Sequence, residues 1–102
     1  MKNQITRDGI VAFLKREKPM LHQKFHVKEI GLFGSFARGE ANEKSDIDFL
    51  VVIDAPLENY RASKEELHDY LKNIFNREVD LANPHSLKPH YKNRILSQAI
   101  NT

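Results

Sequence analysis

Two acidic residues inside an apolar run have the clearest chemistry in this sequence. Asp46 and Asp48 are two positions apart in the run Ser45–Val52. Alternate residues of a β-strand point to the same face, so these carboxylates would lie side by side, roughly 6.6 Å apart at Cα. Carboxylates without His or Cys favour hard cations such as Mg²⁺ or Mn²⁺. The spacing therefore predicts a divalent-metal site at the start of this strand.

A turn of small residues precedes the acidic pair. Gly34 and Ser35 follow an apolar run that ends at Phe33. Glycine adopts backbone angles that other residues avoid, and Ser35 is expected to cap a short helix over residues 35–40. Backbone N–H groups and a hydroxyl at such a turn can receive a phosphate. A phosphate site beside a metal site indicates a nucleoside triphosphate as ligand.

Residue identity excludes three other phosphate or metal sites. A P-loop needs a lysine after its second glycine, where this sequence has Glu40. A dinucleotide-binding turn needs two glycines separated by one residue, and Gly31 and Gly34 are too far apart. A calcium loop starting at Asp46 would need an oxygen ligand where Leu50 stands. After these exclusions, a metal-bound nucleoside triphosphate remains as the predicted ligand.

The elements that must position these residues follow from apolar spacing and turn signals. Helical periodicity alternates along the chain with short strand-like runs bounded by Gly, Pro or Asn. This order predicts a small α/β (α+β) domain, with one mixed sheet of three or more strands flanked by about four helices. We expect residues 1–102 to form a single domain, since this length suits one core. The predicted elements are a helix over 6–18 that Thr6 caps and Pro19 ends, strands over 26–33, 46–53 and 77–81, a helix after a capping box at 63–66, and a helix that begins at Pro89.

Composition is that of an ordinary soluble protein. The chain has 102 residues, of which 40% are hydrophobic and 29% are charged, with a net charge of +2. This small charge does not favour nucleic acid as a partner, and we expect no direct nucleic-acid binding. The sequence contains no cysteine and no long apolar run, which excludes disulfides and predicts a cytoplasmic protein without a membrane segment.

The central segment resembles a known family signature. Gly34-Ser35, Arg38-Gly39 and Ser45–Asp48 together are similar to the signature of the nucleotidyltransferase superfamily related to DNA polymerase β. The short length and the closing segment 87–96 resemble the minimal nucleotidyltransferases (MNT). Members of that group often act as antitoxins of HEPN toxins in toxin–antitoxin pairs.

The resemblance implies a role for each matching residue. The family needs a third carboxylate from a neighbouring strand, and Asp80 matches it. Asp80 would bind the metal on the nucleophile side and help to deprotonate the acceptor hydroxyl. Asp54 is a competing third acid, although an Asp before Ala-Pro usually serves a turn. The implied catalytic and metal-binding residues are Asp46, Asp48 and Asp80, which would hold two Mg²⁺ ions, and the implied residues for the phosphates of ATP are Gly34, Ser35 and Arg38.

These roles lead to one main hypothesis and two alternatives. The main hypothesis is a Mg²⁺-dependent nucleotidyltransferase that moves AMP from ATP to a hydroxyl of a partner protein, which by resemblance would be a HEPN ribonuclease toxin. The first alternative is a non-catalytic antitoxin that masks its partner. The second is transfer to a small molecule, whose enzymes normally carry an extra helical domain. Association into an oligomer is left open.

Overall fold

Residues 5–102, which the computed structural model describes, form a mixed four-stranded sheet with four α-helices. This architecture confirms the predicted fold class. No helix within this range is long and apolar enough to span a bilayer. The elements are α1 (Arg7–Phe25), β1 (Val27–Phe33), α2 (Gly34–Arg38), β2 (Ile47–Ile53), α3 (Leu57–Phe75), β3 (Val79–Ala82), a 3₁₀ turn (Pro84–Ser86), α4 (Pro89–Gln98) and β4 (Ile100–Asn101).

The sheet has the strand order β3-β2-β1-β4. β1 pairs antiparallel with β2 and with β4, whereas β2 and β3 are parallel. A parallel pair needs a crossover connection, and α3 supplies it. β2 therefore lies between two neighbours, with Phe49 opposite Leu32 of β1 on one side and Leu81 of β3 on the other.

The main core lies between one face of the sheet and helices α1 and α3. The Phe75 ring of α3 is 5.2 Å from the Phe13 ring of α1 and 6.2 Å from the Phe49 ring of β2. Phe25 and Tyr70 make a second contact between the helices, with ring centroids 5.2 Å apart. Apolar burial of this kind supplies most of the stability of a small domain. The most deeply buried side chains are Phe49, Ile10, Leu14, Leu21, Leu32, Ile47, Leu67, Leu71, Val27 and Val51.

The prediction that Pro19 ends the first helix is wrong. Thr6 caps α1 as predicted, accepting a hydrogen bond from the backbone N–H of Gly9 at 3.0 Å. The helix then continues through Pro19 to Phe25, although proline cannot donate to the carbonyl four residues earlier. Leu21 and Phe25 lie beyond the proline and are both buried, so core packing holds the second half of the helix.

The predicted capping box at residues 63–66 is also wrong. α3 begins at Leu57, and the N–H of Asn59 donates to the carbonyl of Pro56 at 2.8 Å. Ser63 is only 8% exposed because it lies on the same helix face as Leu67 and Leu71. A serine on the buried stripe of a helix has the same local sequence pattern as a cap.

The C-terminal elements differ from the others in how little they bury. α4 begins at Pro89 as predicted, but none of its residues is buried. β4 was not predicted, since two residues are too few for a periodic pattern; it pairs with Gly31 and Leu32 of β1. The predicted strand over 77–81 is shifted in the structure to Val79–Ala82.

Candidate active site

The parallel pairing of β2 with β3 brings two of the predicted acids together. Asp48 and Asp80 are direct partners in the strand register, so their Cα atoms are about 4.8 Å apart. Asp46 comes immediately before β2, where the N–H of Ile47 donates to the carbonyl of Glu78 at 3.0 Å. Asp46 and Asp80 are exposed and Asp48 is half-buried. We call these three residues, Asp46, Asp48 and Asp80, the acidic face.

Asp54 does not belong to this group. It follows the last residue of β2, at the opposite end of the strand from Asp46. Its backbone N–H donates to the carbonyl of His26 at 2.8 Å, which extends the antiparallel pairing of β1 and β2 by one residue beyond Val27 and Ile53. The structure therefore places the competing third acid away from the acidic face.

The pKa of Asp48 is affected by the other two carboxylates. Burial raises the pKa of Asp48, and the negative charges of Asp80 and then Asp46 raise it further, while Arg38 opposes them. Like charges held together in this way favour protonation or a bound cation. The raised pKa of Asp48 therefore reflects, besides burial, the proximity of Asp80 and Asp46.

The donor set of the acidic face fits Mg²⁺. All three side chains offer hard oxygen ligands, and Mg²⁺ is commonly held by one or two carboxylates together with substrate phosphates. Within residues 5–102, no three His, Cys, Asp or Glu side chains converge into a ready-made metal cluster.

Gly34 makes the closest approach to the acidic face. Its φ is +77°, and a Cβ added there would overlap the carboxylate of Asp48, at 2.9 Å from Cγ. Only glycine satisfies both conditions. Gly34 therefore lets the backbone at the start of α2 lie directly against the central acid.

The predicted cap by Ser35 is wrong. α2 starts at Gly34, its N-cap residue is Phe33, and no side chain caps it. Ser35 instead contributes its carbonyl, which accepts from the N–H of Glu40 at 2.9 Å. The phosphate-binding role of Gly34 and Ser35 stays a prediction.

Arg38 lies at the end of α2 and faces two neighbours. Its Nε donates to Glu40 at 2.9 Å, and its Nη1 donates to the side-chain oxygen of Gln98 in α4 at 3.4 Å. Its charge also lowers the pKa of Asp48. Arg38 thus connects α2 to α4 within electrostatic reach of the acidic face, and its role toward phosphates stays a prediction.

A cleft of about 730 Å³ lies beside Asp80, between α3 and β3. Tyr60, Lys64 and His68 line it from α3, and the Nε2–H of His68 donates to the carbonyl of Val79 at 3.1 Å. Sequence reasoning assigned none of these three residues to the site. Their spacing of four residues, which places them on one helix face, is the signal that could have found them.

Comparison with known proteins gives consistent matches. The chain matches the model of the nucleotidyltransferase domain over residues 11–101, which include every predicted site residue. A protein of Methanocaldococcus jannaschii, provisionally named a protein adenylyltransferase, is 42% identical over 97 residues, which cover 93% of this chain and 95% of that protein. The protein adenylyltransferase MntA of Thermococcus cleftensis is 35% identical over 96 residues, which cover 94% and 95% of the two chains. A solved toxin–antitoxin structure with AMP-PNP contains a chain that superposes with a TM-score of 0.62 at 25% identity, covering 95% of this chain and 72% of that one.

Proposed function

The chain belongs to the nucleotidyltransferase domain family, and we propose that it transfers AMP from ATP to a hydroxyl of a partner protein. The observation that carries this proposal is the pairing of Asp48 with Asp80, next to Asp46, on an accessible face of the sheet. The names of the two relatives, one of them provisional, support protein adenylyl transfer.

Each member of the acidic face has a role in this proposal. Asp46 and Asp48 would hold two Mg²⁺ ions, and Asp80 would bind the one nearer the acceptor. Bound Mg²⁺ supplies positive charge that stabilises both the attacking and the leaving oxygen. The pKa of Asp48 is raised first by burial and then by repulsion from Asp80 and Asp46, and a bound cation would relieve that repulsion, which supports this assignment.

The remaining residues orient the nucleotide. Backbone N–H groups at Gly34 and the Ser35 hydroxyl would receive the β- and γ-phosphates. Gly34 lies against Asp48, so phosphates held there would lie next to the metal-binding carboxylates. Arg38 would add positive charge from the end of α2.

The reaction is an in-line displacement at the α-phosphorus. The acceptor oxygen forms a bond to that phosphorus while the bond to the oxygen bridging the α- and β-phosphates breaks. The hydroxyl proton passes to the Asp80 carboxylate and then to water, and pyrophosphate leaves. The products are pyrophosphate and a partner protein that carries an AMP ester.

We further propose that the acceptor is a HEPN-type toxin and that this chain acts as its antitoxin. The toxin–antitoxin structure with AMP-PNP supports the antitoxin role, and the HEPN class of the toxin follows from the resemblance to the minimal nucleotidyltransferases. Asp46 and Asp80 are exposed, so the acidic face is open to a hydroxyl presented by a macromolecule.

Mass spectrometry of the partner tests the proposed activity. A HEPN-type toxin is incubated with this protein, ATP and Mg²⁺, and its mass is expected to rise by one or more AMP units. A folded Asp46→Asn, Asp48→Asn double variant should leave the mass unchanged. No mass increase with a folded wild-type protein that binds the toxin would contradict the proposal.

Masking without catalysis is a second candidate function. Tyr91 and Leu96 of α4 are 50% and 38% exposed, and apolar side chains of this kind suit a binding surface. Growth of cells that express the toxin separates the two functions. Masking predicts that the double variant still protects, and adenylyl transfer predicts that protection is lost.

A further inference from the structure

Arg77 lies just before β3 and contacts the segments that carry the acidic face. We propose that Arg77 is a positioning residue, whose guanidinium fixes Asp46 relative to Asp80 and to α2. This inference rests on the proposed function and deepens it, since it assigns a residue that the reaction needs but that does not touch the substrate.

The first contact of Arg77 is with the loop that leads into β2. Its Nη1 donates to the carbonyl of Asn42 at 2.8 Å and to the carbonyl of Ser45 at 3.0 Å. Ser45 immediately precedes Asp46. A single guanidinium nitrogen thus bonds the backbone next to the first acid.

The same loop is closed on itself. The N–H of Asn42 donates to the Ser45 hydroxyl at 2.8 Å, and the N–H of Lys44 donates to the side chain of Asn42 at 2.8 Å. The loop is therefore a compact turn that Arg77 holds as one unit. Loss of the Arg77 side chain would remove both of its bonds to this turn, and the backbone bond from Ile47 to Glu78 would remain beside it.

The second contact of Arg77 is with α2. Its guanidinium carbon lies 5.3 Å from the centroid of the Phe36 ring, and Phe36 is buried. Phe36 follows Ser35 directly. A stacked guanidinium keeps its planar donors free for carbonyls, which the ammonium group of lysine cannot do as well.

The charge of Arg77 has no acidic partner at ion-pair distance among residues 5–102. Its guanidinium instead bonds two backbone carbonyls and lies over an aromatic ring. These contacts depend on the direction and planarity of the group as well as on its charge. Arg77 therefore links the turn before Asp46, the helix after Gly34 and the strand that carries Asp80.

Precise placement matters because catalysis depends steeply on geometry. A displacement of about 1 Å can lower the rate by about 100-fold. The three like charges of the acidic face push one another apart, so the backbone that carries them must be restrained from outside. Arg77 supplies this restraint through its hydrogen bonds to the carbonyls of Asn42 and Ser45.

Arg16 provides a matched control. Its guanidinium also lies over a phenylalanine ring, 5.7 Å from the Phe13 centroid. Arg16 pairs with Glu17 at 3.0 Å and lies in α1, outside the acidic face. Arg16 lines the same cleft as Asn42 and Arg77 but bonds to Glu17 and not to the loop, so its removal deletes the same chemical group and leaves the bonds of Arg77 in place.

AMP transfer is measured for wild type, Arg77→Ala, Arg77→Lys and Arg16→Ala, each shown to be folded by circular dichroism. Arg77→Ala is expected to lower kcat by about 10- to 100-fold while KM for ATP changes less than threefold. Arg77→Lys should lose at least fivefold, about 1 kcal/mol, and it remains testable if Arg77→Ala does not fold. Millimolar guanidinium should partly restore Arg77→Ala and have no effect on Arg16→Ala. Arg77→Lys with the wild-type kcat, or an equal loss in Arg16→Ala, would overturn the proposal.

Amide hydrogen exchange separates this inference from the proposed function. Arg77→Ala should speed exchange in residues 42–46 by about tenfold or more, and Arg16→Ala should leave these residues unchanged. If wild type transfers no AMP, the proposed function fails, and the exchange result alone decides whether Arg77 holds the loop. Unchanged exchange in Arg77→Ala refutes the positioning role in either case.

Discussion

The two faces of β2 differ in burial and in charge at the start of the strand. On one face Ile47, Phe49 and Val51 are at most 1% exposed and lie in the main core. On the other face Asp48 is half-buried, and its pKa is raised by burial and by two neighbouring carboxylates. Leu50, on the same face as Asp48, is buried as well, so the contrast is between Asp48 and its core-facing neighbours Ile47 and Phe49.

The acidic face lowers the stability of the folded protein, whereas the core face increases it. Apolar burial on the core face lowers the free energy of the folded state, whereas repulsion at the acidic face raises it. Sites that concentrate like charge are common at functional positions, because the stored repulsion is released when a cation or substrate binds. Substitutions on the two faces should therefore have opposite effects.

The largest effect is expected on the core face. Phe49→Ala should lower the free energy of unfolding by about 3–5 kcal/mol, because it leaves a cavity between β2, α1 and α3. That loss is a large part of the total stability of a small domain. Urea unfolding followed by circular dichroism measures it. A loss below about 1 kcal/mol would mean that the core face does not carry the fold.

Asp48→Asn should separate activity from stability. AMP transfer is expected to fall by about 10³-fold, or about 4 kcal/mol of transition-state stabilisation, since a proposed Mg²⁺ ligand is lost. The free energy of unfolding should stay the same or rise, because one of three repelling charges is removed. Parallel activity and urea measurements check both signs. A variant that is less stable than wild type would contradict the proposed contrast between the faces.

Gly34→Ala should give a smaller effect on both properties. The left-handed backbone at φ +77° costs a residue with a side chain about 1–2 kcal/mol. The new Cβ would also displace the Asp48 carboxylate, so transfer should fall by about 10- to 100-fold. Gly39 also has a positive φ of 76° but no atom within 4 Å of an added Cβ. Gly39→Ala is the control, with the same backbone strain and little loss of transfer.

The smallest effect is the pH dependence of stability. The folded chain binds the Asp48 proton more tightly than the unfolded chain, in which the pKa of this carboxyl has its ordinary value of 3.8. This group therefore stabilises the fold less as pH rises from that value through the raised pKa of the folded chain. Asp48→Asn lacks this contribution. Its stability relative to wild type should therefore increase with pH across that window and then level off.

Urea unfolding between pH 4 and pH 7 measures this difference.

Mg²⁺ at pH 7 should stabilise wild type more than Asp48→Asn, by up to about 2.7 kcal/mol when the Mg²⁺ concentration is 100 times the dissociation constant. Equal Mg²⁺ effects on both proteins would exclude Asp48 as a ligand.

The sequence predicted the acidic face well where its signals were local. Asp46 and Asp48 lie close together in sequence, and alternation alone assigned them to one face. The pairing of Asp48 with Asp80 is a register between distant strands, so it required the family resemblance. Arg77 contacts two main-chain carbonyls and the Phe36 ring. Contacts of this kind cannot be recognised from a sequence pattern.

The errors in the predicted fold have the same origin. Pro19 and Ser63 carry strong local signals, for a helix end and a helix start, that tertiary packing overrides. β4 is held by its pairing with β1 rather than by its own composition. Local chemistry therefore predicted which acidic residues share a face more reliably than it predicted element boundaries.

The mixed pairing of the sheet also implies an order of assembly. β1 and β2 pair through a short connection, so Asp46 and Asp48 can be brought beside Gly34 early in folding. Asp80 arrives only after the crossover through α3 has closed the parallel pair. A brief opening of the α3–β3 unit would remove the third acid while the first two stayed in place. Catalytic competence would then be gained last and lost first, ahead of global unfolding.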